Sequence, residues 1–180
     1  THLILEFTDG DRLFFNDLRK FGWMRVVETG EEKKIFREFG PEPLTKEFSF
    51  KKFKEILNKY PKRKIKQILL DQKLIAGVGN IYTDESLFCA RILPARIAGK
   101  ITEKELKQLY SCLQRILKLA IAQKGTSADS YVRLDGRKGN FVPYLKVYGR
   151  KGEKCKRCGG IINRIKLNGR GTHFCAYCQK

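Results

Sequence analysis

Nowhere in its 180 residues does this chain hold an apolar run near the about 20 residues that cross a bilayer, so no membrane-spanning helix is expected. Its first residues, Thr-His-Leu-Ile-Leu-Glu, place an acid where a secretory core stays apolar, and no signal peptide is expected either. Internal repeats and low-complexity tracts are missing, and a hydrophobic content of 42% is too high for a disordered tail. At this length the chain can hold one domain or two small ones around a moderate core.

Acid is scarce as well. Asp and Glu number 19 against 38 Lys and Arg, giving a formal charge of +19 and a pI near 9.8. Such an excess favours a polyanion, because each phosphate neutralised releases condensed counterions. Nucleic acid is the expected partner; the competing readings are an anionic membrane surface or a merely solubilising charge.

What cysteine there is falls into two groups. Cys155, Cys158, Cys175 and Cys178 form two C-x-x-C pairs, while Cys89 and Cys112 stand alone in apolar helical stretches. A disulfide framework belongs to small secreted chains, so Cys89 and Cys112 are expected as buried small hydrophobes in a reducing cytosol.

Residues 2–28 alternate as strands do. Leu3, Leu5 and Phe7 share a face, Thr8-Asp9-Gly10-Asp11 turns, and Leu13–Phe15 and Trp23–Val27 follow. Three short strands have little to pack against alone, so the chain is expected to begin inside a larger sheet. Beyond Gly40-Pro41-Glu42-Pro43 the period becomes helical. Phe50, Phe53, Ile56 and Leu57 mark one helix ended by Tyr60-Pro61, Ile65, Ile68 and Leu69 a second, and Ile81–Ala90 a third. A fourth opens on the capping box Thr102 and Glu105. Its stripe of Leu106, Leu109, Leu113, Ile116, Leu117, Ala120 and Ile121 is expected as core, and Gly125 ends it. Residues 125–141, rich in Gly, Ser and Asp with Arg133, Arg137 and Lys138, are expected as a basic loop.

The most specific local signal is the cysteine spacing. Sixteen residues separate Cys158 from Cys175, enough for a hairpin that brings two knuckles together around one structural zinc, with no open position for catalysis. His173, two residues before Cys175, is expected as a hairpin side chain, since four cysteines fill the shell. The hairpin is basic, with Arg164, Lys166 and Arg170, and suits a phosphate track. The second motif runs from Asp71 to Tyr82. A helix ends, Gly77 and Gly79 make a tight turn, and Asn80 is placed to cap the next helix. Glycines allow close backbone approach, and free amides at a helix start attract an anion, for which phosphate is the natural guest. An ordinary helix connection would carry the same glycines.

Lys73-Leu74-Ile75-Ala76-Gly77-Val78-Gly79-Asn80-Ile81-Tyr82 followed by Glu85 resembles the helix-two-turns-helix signature of formamidopyrimidine-DNA glycosylases. Val147–Gly152, the paired cysteines, and Gly169-Arg170-Gly171-Thr172-His173-Phe174-Cys175 resemble that family's zinc finger. The likeness runs from about Leu3 to Lys180. It implies an α+β fold: the end of an antiparallel β-sandwich over 1–40, a helix-two-turns-helix domain over 41–142 with a lesion-recognition loop at 125–141, and a zinc finger over 143–180. It also implies that Lys66, Asn80 and Arg170 grip phosphates beside an extruded nucleotide, with Gly77 and Gly79 giving the close turn. Asn16–Gly22 resembles the family's Arg-Arg-Phe-Gly loop, which would make Arg19 the reader of the orphaned base and Phe21 the wedge in the stack. Leu18 and Lys20 depart from the usual Pro and Arg there.

The activity the resemblance implies is base-excision repair of oxidised purines, 8-oxoguanine and formamidopyrimidine, with abasic-site lyase action, by a bacterial, cytoplasmic, nucleoid-associated monomer on damaged duplex DNA. The family's nucleophile is an N-terminal proline followed by glutamate. This chain opens on Thr1. About one hundred residues are therefore expected upstream, and the chain as given is expected to bind rather than cut. The alternatives are a non-catalytic damaged-DNA-binding zinc protein and an RNA-binding zinc ribbon.

Overall fold

The computed structural model describes residues 2–17, 20–127 and 137–180, arranged as two units, Thr1–Phe36 and Arg37–Lys180. In the first, β1 (Leu3–Glu6) and β2 (Arg12–Phe15) pair antiparallel, Leu3 opposite Phe15 and Glu6 opposite Arg12. Gly10, at φ 94°, supplies the left-handed residue of the connecting turn. The expected third strand, Trp23–Val27, does not form. Alternation reports extended, apolar backbone, but a strand also needs a partner edge, and Val26 is fully exposed. A short helix not foreseen from sequence, α1 (Glu32–Phe36), closes the unit.

The second unit is mostly helical: α2 (Phe50–Lys59), α3 (Ile65–Leu70), α4 (Asn80–Ala90) and α5 (Glu103–Ala122). Ser49 caps α2 by accepting from the Lys52 amide. The predicted capping box of α5 is present, Thr102 Oγ1 accepting from the Glu105 amide while the Glu105 carboxylate accepts from the Thr102 amide. The helices share one core of Phe48, Phe53, Ile65, Leu69, Leu87, Leu109 and Leu113. Ile121 was expected in that stripe and is 68% exposed, because it lies in the last turn of α5, off the buried arc that Leu113, Leu117 and Ala120 follow. Cys112, on the arc, is buried.

Cys89 and Cys112 are not separate small hydrophobes. They are joined in a disulfide that ties α4 to α5. Composition and compartment argued against a bridge, but two helices packed side by side bring the two Cα atoms to 5.9 Å, within disulfide reach.

The hairpin of β3 (Ile162–Leu167) and β4 (Arg170–Cys175) packs on the end of α4 through Phe88, Val147 and Ile162. Arg157 stacks 4.1 Å from the Phe88 ring and donates to the Phe88 carbonyl. The tail returns to α4: buried Gln179 donates to the Ile92 carbonyl and accepts from the Cys175 amide, each at 2.8 Å.

Candidate nucleic-acid interface and metal centre

Helix α4 carries its charge inward. Asp84 and Glu85 are both buried on it, and each is satisfied by a different part of the zinc-finger region. The Glu85 carboxylate accepts from the amides of Lys146, Val147 and Tyr148 at 2.9–3.0 Å, gripping the segment that leads into the finger. Burial pushes its carboxyl above the usual carboxylate range, against the pull of those three amides. Asp84 holds the hairpin itself. One oxygen accepts from Lys66 Nζ at 2.5 Å and the other from the His173 amide at 2.8 Å.

Lys66 is therefore not a solvated helix lysine. It is 1% exposed, and it donates both to Asp84 and, at 3.4 Å, to the Gly171 carbonyl. Burial pulls its ammonium below the usual lysine range, Asp84 opposes that, and the positive charge of Arg170 adds to it. No ammonium is left at the surface for direct use; the group joins α3, α4 and β4 instead.

Asn80 also departs from expectation. The helix cap is Gly79, which has no capping side chain, and Asn80 is the first residue of α4. Its amide donates to the same Gly171 carbonyl at 3.0 Å. That bond ties the first residue of α4 to the hairpin. At Gly77, φ of 77° calls for glycine on conformational grounds. Gly79 is in an ordinary extended conformation, and a side chain there would meet nothing within 4 Å. Both glycines are exposed, and so is Arg170, the first residue of β4. The Gly171 carbonyl thus ties the strand that opens on Arg170 to an uncapped helix start and its glycine turn, a combination suited to an anion.

Beside it opens a mostly apolar cavity of about 470 Å³, bounded by Pro43, Leu44, Gly77, Tyr82, Leu117 and Lys124. Tyr82 Oη bonds Thr126 Oγ1 at 3.0 Å at the root of the loop expected over 125–141. Of that loop, residues 128–136 lie outside the described residues, as does Arg19. Phe21 is described and is 77% exposed, in a turn where the Gly22 amide donates to the Asp17 carboxylate.

The four cysteine sulfurs of the finger all lie within 4.8 Å of one another, with Cys155–Cys178 at 3.8 Å and Cys158–Cys175 at 3.5 Å. A tetrahedron with metal–sulfur bonds of about 2.3 Å has edges of about 3.8 Å, so the set fits zinc. Burial and the neighbouring sulfurs push the Cys178 thiol up to about 12, and a cation is what lets so crowded a set ionise together. His173 stands outside the set, its ring 4.9 Å from that of Tyr148 and its Nδ1 3.4 Å from Asp84.

Asp84 was not singled out from sequence. A buried acid on a helix with no amphipathic contrast leaves no periodic signal.

A helix pair joined through a glycine turn and closed by a hairpin on paired cysteine knuckles defines a helix-two-turns-helix protein with a zinc finger. Residues 39–131 match the formamidopyrimidine-DNA glycosylase H2TH domain, and residues 152–180 match the zinc finger found in FPG and IleRS. The chain belongs to the formamidopyrimidine-DNA glycosylase family. It is 47% identical over 182 residues to the formamidopyrimidine-DNA glycosylase of Listeria innocua, covering all of this chain and 66% of that protein. The Lactobacillus gasseri protein is 43% identical over 180 residues, covering 99% and 65%. The chain thus spans about two thirds of the length of these curated relatives, 65–66%. Among solved structures, the FPG protein of Thermus thermophilus superposes with a TM-score of 0.89 at 42% identity, covering 98% of this chain and 67% of that one. Lactococcus lactis Fpg in complex with DNA containing an abasic site gives 0.87 at 43% identity, covering 98% and 65%.

Proposed function

We propose that the chain is the DNA-gripping part of a base-excision repair glycosylase with abasic-site lyase activity, acting on the oxidised purines 8-oxoguanine and formamidopyrimidine in duplex DNA. The observation that carries this is the meeting of Asn80 and the Arg170 hairpin at one carbonyl, Gly171, beside an uncapped helix start. In this reading the Arg170 guanidinium and the first amides of α4 take backbone phosphates flanking an extruded nucleotide, offsetting a few kcal/mol of unstacking. The open space at Gly79 supports close backbone approach by something outside the protein. Lys66 serves by holding the hairpin rather than by touching phosphate. Phe21 wedges into the stack and Arg19 reads the orphaned base. One structural zinc held by Cys155, Cys158, Cys175 and Cys178 supplies the folding energy of a hairpin that has little core of its own. The segments 1–40, 41–142 and 143–180 are the sandwich part, the helical domain and the finger of a monomer working on DNA in the bacterial cytoplasm.

Asn80→Ala and Arg170→Ala test the site. Each is expected to weaken binding to a duplex with one abasic site by tenfold or more, in line with about 1.5–3 kcal/mol for a charge-assisted contact, and to weaken binding to intact duplex less. Equal losses on both duplexes would reduce the pair to general phosphate contacts. Borohydride trapping on the abasic duplex tests the chemistry: a covalent adduct assigns the lyase step to this chain, whereas tight lesion-preferring binding without an adduct leaves it a damaged-DNA binder.

A further inference from the structure

The buried pair of Lys66 and Asp84 is costly to keep. Two charges removed from water are rarely repaid in stability, and such pairs are often replaced by apolar residues at no loss. Burial pulling the Lys66 ammonium below its usual range is a sign of that cost. What the pair does contribute is register. Strand β4 offers the helices one carbonyl and one amide: the Gly171 carbonyl accepts from Asn80 at 3.0 Å and from Lys66 at 3.4 Å, and the His173 amide donates to Asp84 at 2.8 Å. Residues 171 and 173 point their backbones the same way, so the strand is pinned at two successive like positions. A slip by one residue would break both. Arg170 is the next residue along.

We propose that Asp84 is a positioning residue of the phosphate site: through Lys66 and the His173 amide it fixes the zinc hairpin against the start of α4, so that Arg170 stands beside Asn80. This rests on the reading of Arg170 and the first amides of α4, which begins at Asn80, as phosphate contacts. Asp84 touches no DNA; its effect passes through the hairpin.

The zinc-loaded full chain carries the test. Asp84→Asn leaves the buried ammonium of Lys66 without its countercharge and is expected to lower the melting temperature as well as binding. The informative variant is therefore Lys66→Met with Asp84→Asn, which removes the stranded charge. It is expected to recover zinc content and melting temperature, yet to bind abasic duplex at least tenfold more weakly than wild type. Its slope of log K against log salt should fall by about one phosphate contact. Placed in an Arg170→Ala background, the same two changes are expected to cost nothing further, because the group they position is gone. A double variant that recovers binding along with its melting temperature overturns the proposal, as does an undiminished additional loss in the Arg170→Ala background. Should Arg170→Ala itself bind abasic duplex as wild type does, the phosphate reading fails and the positioning role falls with it. If Arg170→Ala is weak while the double variant is normal, only the role of Asp84 fails.

Discussion

Helix α4 is held by two joints that balance apolar and polar contact differently. Against α3 and α5 it packs Leu87 into the shared apolar core, with Cys89 bonded to Cys112 at the side. Against the finger it adds carboxylates to the apolar contact of Phe88: Glu85 with three amides, Asp84 with a lysine and a fourth amide. An apolar joint is non-directional, so it tolerates small shifts and volume-conserving changes. A polar joint in a dry interior is directional, and each missing partner leaves a buried group unsatisfied. The chain thus secures its scaffold by area and, where it seats its hairpin, adds directional hydrogen bonds to area.

Removing zinc should separate the two most sharply. A chelator is expected to unfold the hairpin and abolish duplex binding, since structural zinc sites are worth of order 10 kcal/mol or more, while the apolar joint keeps the helical signal. Circular dichroism with a binding assay on the same sample checks both halves. Loss of the helical signal along with binding would show the joints to be one cooperative unit.

Breaking the Cys89–Cys112 bond is a smaller perturbation and falls on the apolar joint. For a 23-residue separation the chain-entropy cost of losing the bond is about 3 kcal/mol. Phosphine-reduced protein is expected to melt several degrees below oxidised protein with its zinc content unchanged. Identical melting curves would return both cysteines to the status of packed small side chains.

The smallest effect concerns Glu105, which bonds Arg96 next to the returning tail. The Arg96 guanidinium holds its carboxyl down to about 2, against a usual 4.5. A carboxyl depressed on folding adds stability above pH 4.5 and loses it as pH falls toward 2. With the pair partly exposed, the contribution is about 1 kcal/mol after screening. Glu105→Gln should melt lower than wild type at pH 7, and the gap should close through that acid range; a gap independent of pH would assign the difference to capping alone.

Legibility in the sequence followed the same division. The helices, the α5 capping box and the cysteine set depend on spacing within a short stretch, and spacing is written in the chain. The polar joint pairs residues 84 and 173, or 85 and 147, and nothing local distinguishes a buried acid from a surface one. Lys66 was assigned to DNA by resemblance for that reason, and its inward turn became visible only with Asp84 in place. Asn80 was expected as a cap from its place after the glycines, and the carbonyl its side chain does meet lies 91 residues away. The missing third strand has a related cause: alternation at Trp23–Val27 describes a side-chain pattern, while a ladder needs a neighbour.

At the foot of the loop after α5, the Asn140 amide donates to the Gln123 carbonyl and the Phe141 amide to the Gly125 carbonyl, while the Gly139 amide donates to Ser127 Oγ. A side chain on Gly139 would lie 2.3 Å from the Gly125 carbonyl, so the two ends of the loop meet back to back. Ends already joined make the closure entropy of what lies between nearly independent of its content, with each doubling of length costing only about 0.6 kcal/mol. The stem is in effect a socket. What the stem holds can differ in length without retuning the helices that carry it.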